Sequence, residues 1–270
     1  MRARFDSEYI EAELKRIGTQ IETPLTVHLI GGGAMAFRDL KNTTKDIDLI
    51  VTSGDDLQQL QTVLLANGYE IVKDPGEEYD ELGAQRILEN DDGCRIDVFN
   101  QQVIDKLVLS NGMRRRSERY LDSGELSVEL VSAEDIFLFK AVAGRTDDIE
   151  DMFGLIQTAL DFDVIEDELA QQIDLLGQEL FVSYVNEALF DLEEEHNITT
   201  PLAETVSEIT ERVYRELEVL QAIDDSISRS ELAVTVNLSA SELEEALRSL
   251  EAKGVITVDD QQITKESTTL

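Results

Sequence analysis

Residues 46–51, Asp-Ile-Asp-Leu-Ile-Val, constrain the fold more than any other stretch of the chain. A short apolar run rich in aliphatic side chains reads as a strand, and along a strand alternate residues face the same way. Asp46 and Asp48 then project together from one face while Ile47 and Leu49 enter the core. A bare Asp-x-Asp in an acidic chain is ordinarily surface charge. Inside a strand pattern, solvated acids are disfavoured. Like charges at that spacing oppose each other's ionisation, and a divalent cation between them makes the arrangement favourable. Oxygen ligands of this kind suit magnesium or manganese rather than zinc. Asp97 sits in a second apolar strand pattern, Arg-Ile-Asp-Val-Phe (95–99), and is placed to bring a third carboxylate to the same point. Three acids from two strands can hold two metal ions, a geometry that serves in-line phosphoryl or nucleotidyl transfer.

Upstream, Leu-Thr-Val-His-Leu-Ile (25–30) is a strand that runs into Gly31, Gly32 and Gly33, and a short helix follows. A turn without Cβ atoms lets backbone N–H groups approach phosphate oxygens closely. No Gly-Lys-Ser/Thr follows at Walker spacing, so this is not a P-loop.

Residues 6–17 carry Tyr9, Ile10, Leu14 and Ile17 at helical spacing. A helix closed by Gly68, a hairpin-like pair at 69–73 and 84–89 joined by a polar segment, and strands at 94–99 and 126–131 follow, with an irregular basic stretch at 113–120. From Ser132 the period changes, and helices dominate to about residue 196. The last segment reads as three helices and a hairpin turning at Asp259 and Asp260, the pattern of a winged helix. The expected class is therefore α+β: a small mixed sheet with flanking helices, then a helical region, then a C-terminal winged helix. The expected domains are 1–131, 132–200 and 201–270.

Charge is the strongest compositional signal, with 58 acidic against 23 basic side chains and a formal net charge of -35. Self-repulsion on that scale destabilises a compact state in dilute buffer, whereas the Debye length falls to roughly 3 Å near molar salt. The composition points to a salt-rich cytoplasm, as in haloarchaea. An acidic nucleic-acid mimic would concentrate its acid on one face, and here it is spread along the whole length. No secretory h-region and no bilayer-length apolar run is present, so the expected location is cytoplasmic, with no membrane partner. The single Cys94 excludes an intramolecular disulfide and begins no zinc knuckle. With two histidines, neither a zinc site nor a His-based triad has support.

The stretches Gly-Gly-Gly-Ala-Met-Ala-Phe-Arg-Asp-Leu-Lys-Asn-Thr-Thr-Lys-Asp-Ile-Asp-Leu-Ile-Val and Arg-Ile-Asp-Val-Phe resemble the DNA polymerase β superfamily of nucleotidyltransferases. Residues 132–152, Ser-Ala-Glu-Asp-Ile-Phe-Leu-Phe-Lys-Ala-Val-Ala-Gly-Arg-Thr-Asp-Asp-Ile-Glu-Asp-Met, are similar to the branch containing AbiEii-type toxins. The resemblance covers about 25–152. It implies that Gly31 and Gly32 contact nucleotide phosphates and that Asp46, Asp48 and Asp97 bind Mg2+ or Mn2+. It further implies that Lys140 neutralises triphosphate charge, with Arg145, Asp148 and Asp151 organising the site. The implied reaction moves NMP from an NTP to an acceptor hydroxyl on an RNA end, a protein or a small molecule. A toxin–antitoxin pair is one setting for it. Gly33 departs from the common pattern, which has Ser there.

Each residue has a plainer reading beside the functional one. Lys140 can snorkel from an apolar helix face, Arg145 can cap a helix end and pair with Asp147 or Asp148 as a routine surface contact, and Asp151 can be a solvated helix acid. The basic run 114–119 is open to phosphate, a polynucleotide backbone or neighbouring acids. The last helix, residues 239–254, sets four glutamates against Arg248 and Lys253. On that ground DNA binding is expected to be unlikely, and the winged helix to serve a homodimer or an antitoxin. The alternative to the enzyme is a non-catalytic nucleotide-binding regulator with the winged helix as its output.

Overall fold

The computed structural model describes residues 3–72, 84–103, 106–259 and 261–266. The polar segment expected at 74–83 and Asp260 of the expected turn lie outside the described residues. The chain forms two compact units, residues 1–202 and 203–270.

In the first unit, α1 (Ser7–Gly18) is started by Asp6, whose carboxylate accepts from the Tyr9 backbone N–H at 2.9 Å, and it buries Ile10, Leu14 and Ile17. A seven-stranded mixed sheet follows, in spatial order β3-β4-β5-β2-β1-β9-β8. Its strands are β1 (Leu25–Ile30), β2 (Asp46–Val51), β3 (Glu70–Ile71), β4 (Arg86–Glu89), β5 (Arg95–Asn100), β8 (Glu118–Ser123) and β9 (Leu126–Leu130). A separate two-stranded ladder joins β6 (Gln102–Val103) to β7 (Leu107–Val108). The central strands β1 and β2 are antiparallel, while β2–β5 and β1–β9 are parallel. Helix α2 (Gly31–Ala36) follows β1 directly, α3 (Gly54–Ala66) follows β2, and α4 (Asn111–Arg116) precedes β8.

The basic stretch expected to be irregular is thus a short helix and an edge strand. Ser110 caps α4 by accepting from Met113 N at 3.0 Å. β8 is mostly exposed on both faces, so it carries no alternating apolar signal to read.

Four helices complete this unit: α5 (Ala133–Ala143), α6 (Thr146–Ile156), α7 (Phe162–Leu176) and α8 (Val182–His196). Ser132 caps α5, and Gly144, at φ +60°, ends it. Every residue from Asp135 to Val142 is buried, so α5 runs through the core and carries Lys140 with it. Cys94 is buried and free, and burial foremost pushes its thiol pKa up to about 12.

The second unit contains α9 (Ala203–Ala222), β10 (Ser226–Ser228), α10 (Arg229–Thr235), α11 (Ala240–Ala252), β11 (Ile256–Val258) and β12 (Gln262–Lys265). Its own core gathers Val219, Ile223, Leu232, Leu247, Leu250 and Ile263. Three helices and a β11–β12 hairpin make the expected winged helix, with β10 added to the sheet as β10-β12-β11. No described helix is long and apolar enough to cross a membrane.

On β1, His28 is buried, and its Nδ1, 3.5 Å from Glu129 Oε2, makes no hydrogen bond. Burial, with Arg114 adding to it, lowers its pKa from 6.5 to about 4. The neutral ring is therefore favoured in the folded state, and its contribution to stability is complete above 6.5 and lost as pH falls towards 4. Wild type is expected to lose on the order of 3 kcal/mol more than His28→Gln across that window, measured by urea unfolding at successive pH values.

Candidate active site

Strands β2 and β5 run side by side with Asp48 opposite Asp97 and Asp46 opposite Arg95. Residues in register on neighbouring strands share a face, as do Asp46 and Asp48 within one strand. The three carboxylates therefore converge on one side of the sheet. Asp97 is fully buried, and Asp46 and Asp48 are half-buried. Burial, then Asp46 and more weakly Asp148, push the Asp48 pKa up to about 6 against the pull of Lys140 and Arg145. The push comes first from burial and then from the neighbouring Asp46, so the ionised Asp48 carboxylate is poorly solvated beside a second oxygen donor. Such a donor set fits a hard divalent cation such as magnesium or manganese.

The glycines sit against these acids. Gly31 has φ +61°, and a Cβ on it would overlap Asp48 Oδ2. A Cβ on Gly32 would lie 2.5 Å from Thr44 Oγ1. The glycines form the opening turn of α2 itself rather than a separate loop before it. At Gly33 a Cβ would meet Leu29 Cδ1 at 3.2 Å, so this backbone leaves a serine side chain little room.

Across α5, α6 and the segment that follows α2, charges alternate through five side chains. Arg145 Nε donates to Asp148 Oδ2 at 2.7 Å, and Lys140 Nζ to Asp148 Oδ1 at 2.6 Å. Lys140 Nζ also lies 2.8 Å from Asp151 Oδ2, and Lys41 Nζ reaches both Asp151 oxygens at 2.7 Å. Burial works against the charge on Lys140, but Asp148 and Asp151 outweigh it and raise its pKa. Asp148 is the mirror case: burial opposes its charge, and Lys140 and Arg145 hold its pKa below the usual value. For Arg145, too, burial is outweighed, by Asp148 and then by Asp48 and Asp46. The structure thus brings Gly31, Asp46, Asp48, Asp97, Lys140, Arg145 and Asp148 together, with Asp151 joined through Lys140.

Two plainer readings give way here: Lys140 does not snorkel to solvent, and Asp151 is buried between two lysines. The plainer reading of Arg145 holds, since it caps α6 and pairs with Asp148, though that acid is buried. Sequence reasoning missed Lys41. Lysine is scarcer than arginine in this chain, so two lysines, at 41 and 45, just ahead of the Asp-x-Asp were a signal available to it. Lys45 makes a surface pair with Asp147 at 3.3 Å. The basic run divides: Arg116 is tied to Asp135 and Glu168 at 2.5 and 2.6 Å, and Arg119 to Asp122 at 2.6 Å. Glu150, Glu195 and His196 also approach one another, their ligand atoms within 4.8 Å. Both glutamates are exposed.

Residues 8–199 match a family described as nucleotidyltransferases of unknown function (DUF6036). The chain belongs to this family. Its match covers the whole acid-bearing sheet and the four helices that follow it, so nucleotidyl transfer in general is the activity of the unit that holds the site. No curated protein matches the chain.

Residues 207–257 of this nucleotidyltransferase match winged helix-turn-helix DNA-binding domains. That match overturns the expectation that DNA binding is unlikely. The expectation counted the glutamates of α11 as free charge, but they are engaged within the domain. Glu242 accepts from Ser239 as a helix cap, Glu244 pairs with Arg229 at 2.8 Å, and Glu251 accepts from Val258 N. Arg248 is exposed on the same helix.

Gly31→Ala tests the close packing at Asp48. A left-handed backbone at a non-glycine residue costs about 1–2 kcal/mol, and the new methyl must displace the Asp48 carboxylate. Transfer by the variant is expected to fall by about 100-fold, because small misplacements at a reacting centre are that costly. The ratio of turnover loss to stability loss, from paired kinetic and denaturation measurements, checks it.

Proposed function

We propose that this protein moves NMP from an NTP to an acceptor hydroxyl, with Asp46, Asp48 and Asp97 holding Mg2+ or Mn2+. The observation that carries the proposal is the register of Asp48 with Asp97 on adjacent parallel strands, with Gly31 packed on the Asp48 carboxylate. When bound, the metal supplies Lewis-acid stabilisation of charge on the phosphate oxygens. The chain's own residues do the rest. Gly31 and Gly32, lacking Cβ atoms, let the triphosphate approach the backbone. Lys140 and Arg145 set positive charge beside Asp48, and Asp148 and Asp151 fix the Lys140 ammonium in place. Asp97 takes the proton of the acceptor hydroxyl as its oxygen bonds to the α-phosphorus and the bond to pyrophosphate breaks. On this reading residues 132–200 complete the site begun by 1–131.

The DNA-binding match of residues 207–257 supports a further role for the segment 201–270: it binds DNA, either to localise the transferase or as the output of a nucleotide-sensing regulator. The likeness of 132–152 to AbiEii-type toxins makes a toxin one setting for the chemistry, and a neighbouring antitoxin gene would support that setting.

The test incubates the protein in molar KCl and magnesium with each α-labelled NTP and RNA, protein extract or small metabolites. Label is expected to reach one acceptor class and to be absent with Asp46→Ala/Asp48→Ala. A folded, nucleotide-binding protein that transfers no label from any NTP would instead support the regulator.

A further inference from the structure

A cavity of about 540 Å³ opens at the other end of the central strands, bordered by Arg114, Arg115, Asn111, His28, Asp56 and Glu129. Ligand sites commonly enclose about 300–1,000 Å³. Thr52, also in its wall, lies four residues beyond Asp48 along β2, roughly 13 Å at strand rise. Ile50 and, in register with it, Phe99 are fully buried between the two places. The cavity is therefore separate from the three acids, and a hydroxyl held here does not reach Asp97.

Its charges are unusual for this chain. Acids outnumber bases 58 to 23, and Arg116 and Arg119 of the same basic run are taken by carboxylates. Arg114 and Arg115 are exposed and form no ion pair among the described residues. Beside them His28 is buried with Nδ1 lacking a hydrogen-bond partner. Two acids, Asp56 and Glu129, also border the cavity. Guanidinium groups bind phosphate through paired charge-assisted hydrogen bonds, whereas carboxylates repel an anion and accept from hydroxyls. A ligand that satisfies both sets carries a phosphate and hydroxyl groups. A simple dicarboxylate would leave Asp56 and Glu129 facing like charge.

We propose that this cavity is a second ligand site, taking a phosphate monoester that bears hydroxyls, with the phosphate on Arg114 and Arg115 and the hydroxyls on Asp56 and Glu129. The site stands independently of the reaction proposed above. Nucleoside monophosphates and sugar phosphates share this chemistry, and the arms of one experiment distinguish them.

Calorimetric titration of the full chain, at a KCl concentration that keeps it folded, uses the four ribonucleoside monophosphates, ribose 5-phosphate and inorganic phosphate. At least one monoester is expected to bind wild type and Asp48→Asn equally. Arg114→Gln/Arg115→Gln is expected to weaken it about 100-fold, from two lost charge-assisted contacts, with an unchanged melting temperature because both arginines are exposed. Glu129→Gln is expected to weaken the monoester about 10-fold without weakening inorganic phosphate, which loses only a repulsion. Binding of ribose 5-phosphate as tight as that of the nucleotides assigns the site to sugar phosphates, and a preference for one base assigns it to nucleotides. The proposal is overturned if no monoester binds, if the arginine variant binds unchanged, if Asp48→Asn loses binding, or if inorganic phosphate binds as tightly as every monoester.

Discussion

Asp48→Asn is expected to abolish NMP transfer and, in metal-free buffer at neutral pH, to make the protein more stable. The two effects have one cause. Burial and the neighbouring Asp46 push the Asp48 pKa from 3.8 to about 6, so its ionised form is held at a cost in the folded chain. Asparagine keeps the shape and removes the charge, which is worth about 3 kcal/mol at neutral pH. The same change removes a hard oxygen ligand from the set that fits magnesium, and loss of transfer by at least about 1,000-fold follows if that ligand is essential. Magnesium is expected to raise the melting temperature of wild type, by binding the folded state alone, and to leave the variant almost unmoved. Melting curves with and without magnesium, beside an α-labelled NTP assay, read both effects. Retained transfer in a stabilised variant would sink the assignment of Asp48 as a ligand.

How much of this was legible beforehand differs from element to element. β2 and β5 declare themselves because their apolar residues recur at strand spacing around acids that do not fit, and their pairing places Asp48 beside Asp97. The winged helix was equally visible, since α10 and α11 carry serine caps and α11 an apolar stripe. What it binds was misjudged, because summed charge on a helix says nothing of which glutamates are already held by Arg229 or by a cap. β8 was invisible for the opposite reason, having almost no buried face. The Lys41–Asp151 contact joins residues 110 apart in sequence. No local period encodes such a pair, which exists only once α6 packs on α5 and brings Asp151 to Lys41.

Lys140→Met is expected to separate structural from chemical use of that lysine. The ammonium lies 2.6 Å from Asp148 and 2.8 Å from Asp151, and both acids are buried. Removing one partner of a buried ion pair is ordinarily costly, about 3–5 kcal/mol. Here Asp148 keeps Arg145 and Asp151 keeps Lys41, so a loss near 3 kcal/mol is expected. Denaturant unfolding reads that loss, and transfer should fall by at least about 100-fold, the scale of losing one fixed charge at a reacting phosphate. The double variant Lys140→Met/Asp151→Asn then decides between the roles. It neutralises Asp151, one of the two acids that shared the lost ammonium, so part of the stability should return. If Lys140 serves only to balance buried carboxylates, activity returns in step with stability. If its charge acts on the triphosphate, stability recovers while transfer stays lost, and this second outcome is the one expected from the pull Lys140 exerts on Asp48.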